Sequence, residues 1–240
     1  TRSRGLGDVY KRQNQAFQHL TNSELSRAIA LFSLLGKPWL VSTGSALAKV
    51  ALALRIPVGW AVRPTVYAQF CGGESIDDSQ GTIAKLAEHG VRTILDYSAE
   101  GQTDESDLDQ TCSEVLATIQ AADGDARHAF AVFKVSGLSS NALLEKVGRS
   151  LRGKVQLKVE EQEAWARVQA RVRTLCEATH QAGGRIMVDA EESWIQDAID
   201  AIAEDMMSDY NRDKVVVFNT VQMYRHDRLA YLKAMAARAD

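Results

Sequence analysis

The sequence predicts an α/β fold in which parallel strands alternate with helices. From Val91 onward, short apolar runs alternate four times with segments whose apolar residues recur every three or four positions, which is the pattern of βα units. The apolar runs are nearly continuous, as expected when both faces of a parallel sheet are covered by helices or when the strands enclose a barrel core. Residues 14–90 precede this region and predict a helical lead-in.

The lead-in begins with a capping box, in which Thr21 and Glu24 can each satisfy a free N–H group at a helix start. Gly36 and Pro38 are expected to end this first helix. After it, the sequence predicts a helix over 42–54, a loop punctuated by Pro57 and Pro64, and a helix over 76–89.

The apolar runs predict four strands, near 91–97, 130–135, 185–189 and 215–219. Gly183 and Gly184 are expected to close the helix before the third strand. The next helix is expected to start at Ser193 after the acidic Glu192, and its buried stripe to begin at Trp194.

The composition excludes several classes of protein. A formal net charge of −3 without a Lys/Arg-rich block lacks the charge that nucleic-acid binding requires, so we expect no nucleic-acid partner. The apolar runs are too short to span a bilayer. Three widely spaced cysteines indicate neither a disulfide framework nor a zinc site, and they favour a reducing compartment.

Residues 1–13 differ from the rest of the sequence. They carry three arginines and one lysine and show no apolar periodicity. The string DVYKRQ resembles the translation of a transposon end used in sequencing libraries, so this stretch is predicted to be a non-native, adapter-derived tail. A native basic arm is the alternative.

Polar or ionisable residues follow all four predicted strands. Glu100 follows the first strand, Lys134 closes the second, Asp189 closes the third, and Gln222 follows the fourth. In both open α/β sheets and barrels, ligands bind at this carboxyl edge. These residues therefore predict a functional site there.

Lys134 is the most specific candidate, because alternation along FAVFKV places it on one face with Phe130, Val132 and Ser136. A buried ammonium requires water, an acidic partner or an anionic ligand. Lys134 is thus expected to bind a substrate carboxylate or polarise a cofactor. The alternatives are a strand-end lysine that reaches solvent and a framework ion pair with Asp189.

Asp189, Glu191 and Glu192 could form the acidic side of such a pair, a general base or a magnesium site. For Glu192 a helix-start role is favoured. The amide of Gln222 can donate to and accept from a flavin or nucleobase ring, or it can cap a loop.

Six strings, in order along the chain, resemble the proline dehydrogenase family: QFCGGES, ILDYSAEG, FAVFKVSGL, LLEKV, VDAEESWIQDAID and VFNTVQMYRHDRLAYL. The resemblance implies a distorted (β/α)8 barrel that binds FAD and oxidises L-proline to 1-pyrroline-5-carboxylate. It also implies a membrane quinone as electron acceptor and a cytoplasmic protein at the inner membrane, or a mitochondrial one in a eukaryote.

The resemblance also implies roles for four residues. Lys134 matches the active-site lysine beside substrate and flavin, and Asp189 matches the active-site aspartate. Gln222 matches the glutamine that hydrogen-bonds the flavin ring. Glu100 matches the acidic residue that supports a substrate-binding arginine. No metal is implied.

The family's fifth-strand Gly-Ala-Tyr segment and its late helix with paired arginines have no counterpart in the 240 residues. The sequence therefore predicts a partial (β/α)8 TIM-type barrel of about four βα units, the N-terminal half of the family fold. We expect this chain alone to hold FAD weakly and to be inactive. The alternatives are a metal-assisted carbon–carbon lyase that uses Glu100, Asp189 and Glu191 around magnesium, and a non-catalytic scaffold.

Overall fold

A computed structural model describes residues 17–97, 99 and 101–239. The predicted adapter-derived tail and the predicted site residue Glu100 lie outside these residues. The chain forms two compact units, an N-terminal unit that ends at Val91 and a C-terminal unit that starts at Arg92. Within the described residues, no helix is both long and apolar enough to cross a membrane.

The N-terminal unit is helical in its described part. Its elements are α1 (Asn22–Leu35), α2 (Pro38–Ala53), α3 (Gly59–Val62), a π-helix (Arg63–Tyr67), α4 (Ala68–Phe70) and α5 (Ile76–Ala87). The predicted capping box at Thr21 is present: its hydroxyl accepts from the Glu24 N–H, and the Glu24 carboxylate accepts from the Thr21 N–H at 2.6 Å. Lys85 on α5 binds the same carboxylate at 2.8 Å.

The prediction of a loop up to Pro64 is wrong. Residues from Gly59 to Phe70 are helical, and Pro64 is the second residue of the π-helix. Proline inside a helical run removes one hydrogen bond and crowds the preceding turn, and the run takes the π form where Pro64 lies. Pro38 starts α2 instead of only ending α1, because a proline in a first helical turn lacks an N–H group that is not needed there, so α2 begins four residues earlier than predicted.

The C-terminal unit alternates strands and helices. Its elements are β1 (Thr93–Leu95), α6 (Glu105–Ala122), β2 (His128–Phe133), a 3₁₀-helix (Val135–Gly137), α7 (Asn141–Leu151), α8 (Val159–Gln181), β3 (Ile186–Val188), α9 (Gln196–Tyr210), β4 (Val217–Asn219) and α10 (Arg228–Ala239). Each strand overlaps the apolar run that predicts it. The predicted α/β fold is therefore confirmed.

The four strands are parallel and lie in the order β1–β2–β3–β4. A doubly wound open sheet reverses its strand order at a switch point, whereas a (β/α)8 barrel keeps the order of the sequence. The consecutive order thus fits part of a barrel. In the described sheet, β1 and β4 are the edge strands.

One hydrophobic core fills the space between the strands and the helices α6 to α9. Helix α8 contributes Val168, Val172, Leu175 and Thr179, which the spacing of three and four residues predicts to lie on one face. Helix α8 ends at Gln181, and Gly183 follows with a φ of +69°, a left-handed conformation that favours glycine.

The start of α9 differs from the prediction. The helix begins at Gln196, and residues 193–195 form a turn in which the carbonyl of Glu192 accepts from the N–H groups of Ile195 and Gln196. Trp194 therefore precedes the helix and is 54% exposed instead of lying in the buried stripe. The residues that follow β3 thus form a loop at the carboxyl edge of the sheet.

Candidate active site

A cavity of about 850 Å³ opens at the carboxyl ends of β2, β3 and β4. Its walls are Lys134, the loop 189–194 after β3, and residues 222 and 224–227 after β4. Three of the four predicted site residues, Lys134, Asp189 and Gln222, are therefore brought together around one cavity. The volume lies within the range of roughly 300–1,000 Å³ that is usual for small-molecule and cofactor sites.

Lys134 is placed by the end of β2. It directly follows Phe133, a fully buried residue of that strand, and it precedes the 3₁₀-helix. The backbone at Gly137 packs closely against Ala99: a side chain at Gly137 would place its Cβ 2.8 Å from the carbonyl oxygen of Ala99. The half-buried Lys134 side chain lines the cavity as a cation among several acidic groups.

Asp189 extends the pairing between β3 and β2, because its N–H donates to the carbonyl of Phe133 at 3.0 Å. Its carboxylate Oδ1 accepts from the N–H of Ala190 at 3.0 Å and lies 3.4 Å from the Thr220 hydroxyl, which donates to it. Across the described residues, Oδ2 has no hydrogen-bond partner. Asp189 therefore presents one uncommitted carboxylate oxygen at the cavity.

Gln222 has an amide that is almost uncommitted. Its Nε2 lies 3.5 Å from the carbonyl of Ala190, at the limit of a hydrogen bond. In the described part of the chain, its Oε1 has no partner. The amide can therefore offer both a donor and an acceptor to a ligand.

Glu191 is engaged on both carboxylate oxygens. Oε1 accepts from the N–H of Ser136 at 3.0 Å, and Oε2 accepts from the Ser136 hydroxyl. Burial raises the pKa of Glu191, against the opposing effects of the Ser136 hydrogen bonds and of the Lys134 charge. Both oxygens of Glu191 thus accept hydrogen bonds from Ser136, and the magnesium role of Glu191 stays an untested alternative.

Arg225 is a residue of the cavity wall that the sequence did not predict. Its Nε and Nη2 donate to Asp227 at 3.1 and 2.8 Å, and its buried Nη1 has no hydrogen-bond partner among the described residues. His226 lies between these two residues, and all three line the cavity. The run of ionisable residues after Gln222 in the sequence could have indicated this part of the cavity wall.

A buried polar network supports the loops from behind. The side chain of Gln196 accepts from the N–H of Glu191 at 2.8 Å and donates to Asp200 at 2.9 Å. Asp200 also binds Arg228 of α10 at 2.7 Å and Asn219 of β4 at 3.1 Å. One aspartate thus ties together α9, α10 and the end of β4.

Within the described ranges, no three His, Cys, Asp or Glu side chains are grouped closely enough to hold a metal ion. Glu100, one of the three ligands in the alternative magnesium site, lies outside those ranges.

Comparisons with known proteins agree with the resemblance. The family model for proline dehydrogenase matches residues 79–240. The carbapenem antibiotics biosynthesis protein CarD of Pectobacterium carotovorum subsp. carotovorum is 34% identical over 170 residues, which cover 71% of this chain and 44% of CarD. Mitochondrial proline dehydrogenase 1 of Dictyostelium discoideum is 27% identical over 216 residues, which cover 76% of this chain and 38% of that protein.

Among solved structures, proline utilization A (PutA) from Bdellovibrio bacteriovorus, inactivated by N-propargylglycine, superposes with a TM-score of 0.53. The identity is 15%, and the match covers 68% of this chain and 18% of PutA, so it bears on the fold alone. This likeness agrees with a partial barrel. The chain spans less than half the length of the two curated relatives named above. Because the family model matches more than half of its residues, the chain belongs to the proline dehydrogenase family.

Proposed function

We propose that this chain contributes to the FAD-dependent oxidation of L-proline to 1-pyrroline-5-carboxylate, with a membrane quinone as the final electron acceptor. The observation that carries the proposal is the pairing of opposite charges in one cavity. The Lys134 ammonium and the uncommitted oxygen of Asp189 line the same space. An amino acid at neutral pH carries a carboxylate and an ammonium, so these two groups suit the two ends of such a substrate.

In this proposal Lys134 binds the substrate carboxylate, and Asp189 accepts a hydrogen bond from the ring nitrogen. Oxidation of the ring removes a hydride from the carbon beside nitrogen and a proton from the nitrogen itself. Because the carboxylate and the ring nitrogen are both held, the orientation of that carbon is fixed. Fixing the orientation of a reacting group is how positioning residues lower a reaction barrier. Glu100 would support a substrate-binding arginine elsewhere in the protein.

The cavity also suits a planar cofactor. Its volume of about 850 Å³ accommodates a ring system beside a small amino acid, and Gln222 presents an amide with an unused acceptor. We propose that Gln222 and Lys134 hold the FAD ring. When bound, FAD supplies the acceptor for the hydride. The described sheet has four strands, so we expect this chain alone to hold FAD weakly and to be inactive.

Ligand binding by the purified 240-residue chain tests the proposal. We expect L-proline to bind in the presence of FAD, as measured by calorimetry, and Lys134→Met to weaken that binding about 10- to 100-fold, because hydrogen bonds to charged groups contribute about 1.5–3 kcal/mol. Asp189→Asn should also weaken the binding of L-proline. Lys154→Met, at an exposed site away from the cavity, is the matched control.

Equal affinity of wild type and Lys134→Met for L-proline would contradict the proposed site and favour the scaffold alternative. Flavin fluorescence measures FAD binding in the same samples, and reduction of a dye on addition of L-proline measures turnover. Tight flavin binding with rapid proline-dependent dye reduction would contradict the expectation that the chain is inactive by itself.

A further inference from the structure

The side chain of Gln196 lies behind the loop that follows β3. Gln196 is the first residue of α9 and is only 1% exposed. Its Oε1 accepts from the N–H of Glu191 at 2.8 Å, and its Nε2 donates to Oδ1 of Asp200, one turn further along the helix, at 2.9 Å. Gln196 therefore connects the buried polar network to the backbone of a residue in the cavity wall.

The orientation of the Gln196 amide is fixed by Asp200. A carboxylate only accepts hydrogen bonds, so the NH2 group of the amide has to face it, and the amide oxygen then faces Glu191. Asp200 is held in turn, because it also accepts from Arg228 at 2.7 Å and from Asn219 at 3.1 Å. The acceptor for the Glu191 N–H is thus kept in one place by a buried ion pair.

The peptide group between Ala190 and Glu191 faces two side chains. Its N–H donates to Gln196, and its carbonyl oxygen lies 3.5 Å from Nε2 of Gln222. A peptide group is planar, so fixing the direction of the N–H also fixes the direction of the carbonyl. The preceding N–H, that of Ala190, donates to Oδ1 of Asp189 at 3.0 Å. The orientation of this one peptide group therefore bears on both Asp189 and Gln222.

We propose that Gln196 is a positioning residue for the cavity, which holds the 190–191 peptide group in one orientation. That orientation presents Asp189 and Gln222 to the same ligand. Gln196 is not part of the cavity wall, so it acts through the loop. The inference rests on the proposed function, which assigns Asp189 to the ring nitrogen of the substrate and Gln222 to the FAD ring.

Gln196→Met tests the inference, because methionine has a similar length and removes both hydrogen bonds. In the ligand-free chain, NMR reports on the backbone N–H of Glu191 and on the side-chain NH2 of Gln222. We expect both signals to shift and the Glu191 N–H to exchange with solvent about tenfold faster, since it loses its acceptor. An unchanged Gln222 signal would overturn the inference.

The affinity for L-proline in the presence of FAD separates positioning from a purely structural role. Calorimetry, at a temperature at which circular dichroism shows each variant folded, should find it about tenfold weaker in Gln196→Met, because a small displacement of binding groups is costly. Leu175→Ala is the matched control: it lowers stability at a fully buried core position outside the cavity wall, and its affinity should stay within twofold of wild type. Wild-type affinity in Gln196→Met, or an equal loss in Leu175→Ala, would contradict the positioning role.

If Gln196→Met fails to fold, Gln196→Glu decides. The new carboxyl group keeps an oxygen for the Glu191 N–H, but only its protonated form can donate to Asp200, and the Arg228 guanidinium is the other charge in this network. Relative to wild type at the same pH, we expect an affinity for L-proline within about threefold at pH 5 and at least about tenfold weaker at pH 8. The same ratio at both pH values would count against the inference.

The two readouts keep this inference distinct from the proposed function. If the wild-type chain does not bind L-proline, the proposed function fails, and the NMR signals of Glu191 and Gln222 decide the role of Gln196. If L-proline binds to wild type and equally well to Gln196→Met, the proposed function stands and the positioning role fails.

Discussion

Replacing Asp200 with alanine should destabilise the C-terminal unit more than removing an exposed carboxylate such as that of Asp209. The side chains of Asp200 and Arg228 are only 8% and 4% exposed, and they form an ion pair at 2.7 Å. Asp200 also accepts from Gln196 and Asn219 at 2.9 and 3.1 Å. Without the carboxylate, the buried guanidinium keeps its stacking on the Tyr231 ring, at 3.9 Å, but loses its close buried counter-charge and retains only the exposed carboxylate of Asp227, at 4.0 Å.

Breaking a buried ion pair by removing one partner costs about 3–5 kcal/mol. The side-chain amides of Gln196 and Asn219 would also lose their hydrogen bonds to Asp200, which lowers stability further. We therefore expect the free energy of unfolding to fall by an amount at the upper end of that range. With a denaturant dependence of about 2 kcal/mol per molar urea, the unfolding midpoint should decrease by about 2.5 M.

Urea unfolding followed by tryptophan fluorescence measures this change. Replacing Trp39 and Trp60 with phenylalanine leaves Trp165 and Trp194, so the signal reports on the C-terminal unit alone. Asp209→Asn is the matched control: it removes a carboxylate from a pair with Arg173 whose side chains are 40% and 53% exposed, and it should cost at most about 1 kcal/mol.

A loss below about 1 kcal/mol in Asp200→Ala would refute the reasoning, because it would mean that the guanidinium finds water or another partner. Adding Arg228→Met to Asp200→Ala should recover part of the lost stability, since it removes the uncompensated buried charge.

Three further predictions follow from the described contacts. The hydrogen bond from Lys85 and the contacts at the start of α1 lower the pKa of Glu24 to about 2. This contribution to stability is present above the ordinary pKa of 4.5 and is lost as pH falls towards 2, so Glu24→Gln should reduce the acid sensitivity of the N-terminal unit followed by circular dichroism. Burial raises the pKa of Cys176 to about 12, so iodoacetamide at pH 8 should label the exposed Cys71 well before Cys176. Leu175→Ala, at a fully buried position of the core, should cost about 2–5 kcal/mol in urea unfolding.

Local patterns in the sequence predicted much of the fold. The capping box at Thr21 and the three- and four-residue spacing in α8 depend on neighbours along the chain, and both are present. Pro64 was misread because proline usually ends or kinks a helix, whereas here the helical run continues through it in the π form, and the sequence does not show this change of form. Trp194 was assigned to a buried stripe because an apolar residue just before a helix continues its periodicity.

For the site, the sequence identified the residues but not all of their partners. Lys134, Asp189 and Gln222 follow parallel strands, and the carboxyl ends of such strands meet at one edge, so their common cavity could be expected. The hydrogen bonds from Ser136 to Glu191 could not be expected. They depend on the register of β2 against β3 and on the path of a loop, and neither is encoded in nearby residues.

The consecutive strand order has a consequence for how the C-terminal unit is made. Each strand pairs with the next strand of the chain, so Thr93 meets His128, Ala131 meets Ile186, and Ile186 meets Val217. Each new strand can therefore dock on one that has already left the ribosome, and in the described sheet β2, β3 and β4 each need only the preceding strand as a partner. Folding of this unit can follow synthesis from the amino end, and each newly docked strand covers the edge left by the previous one.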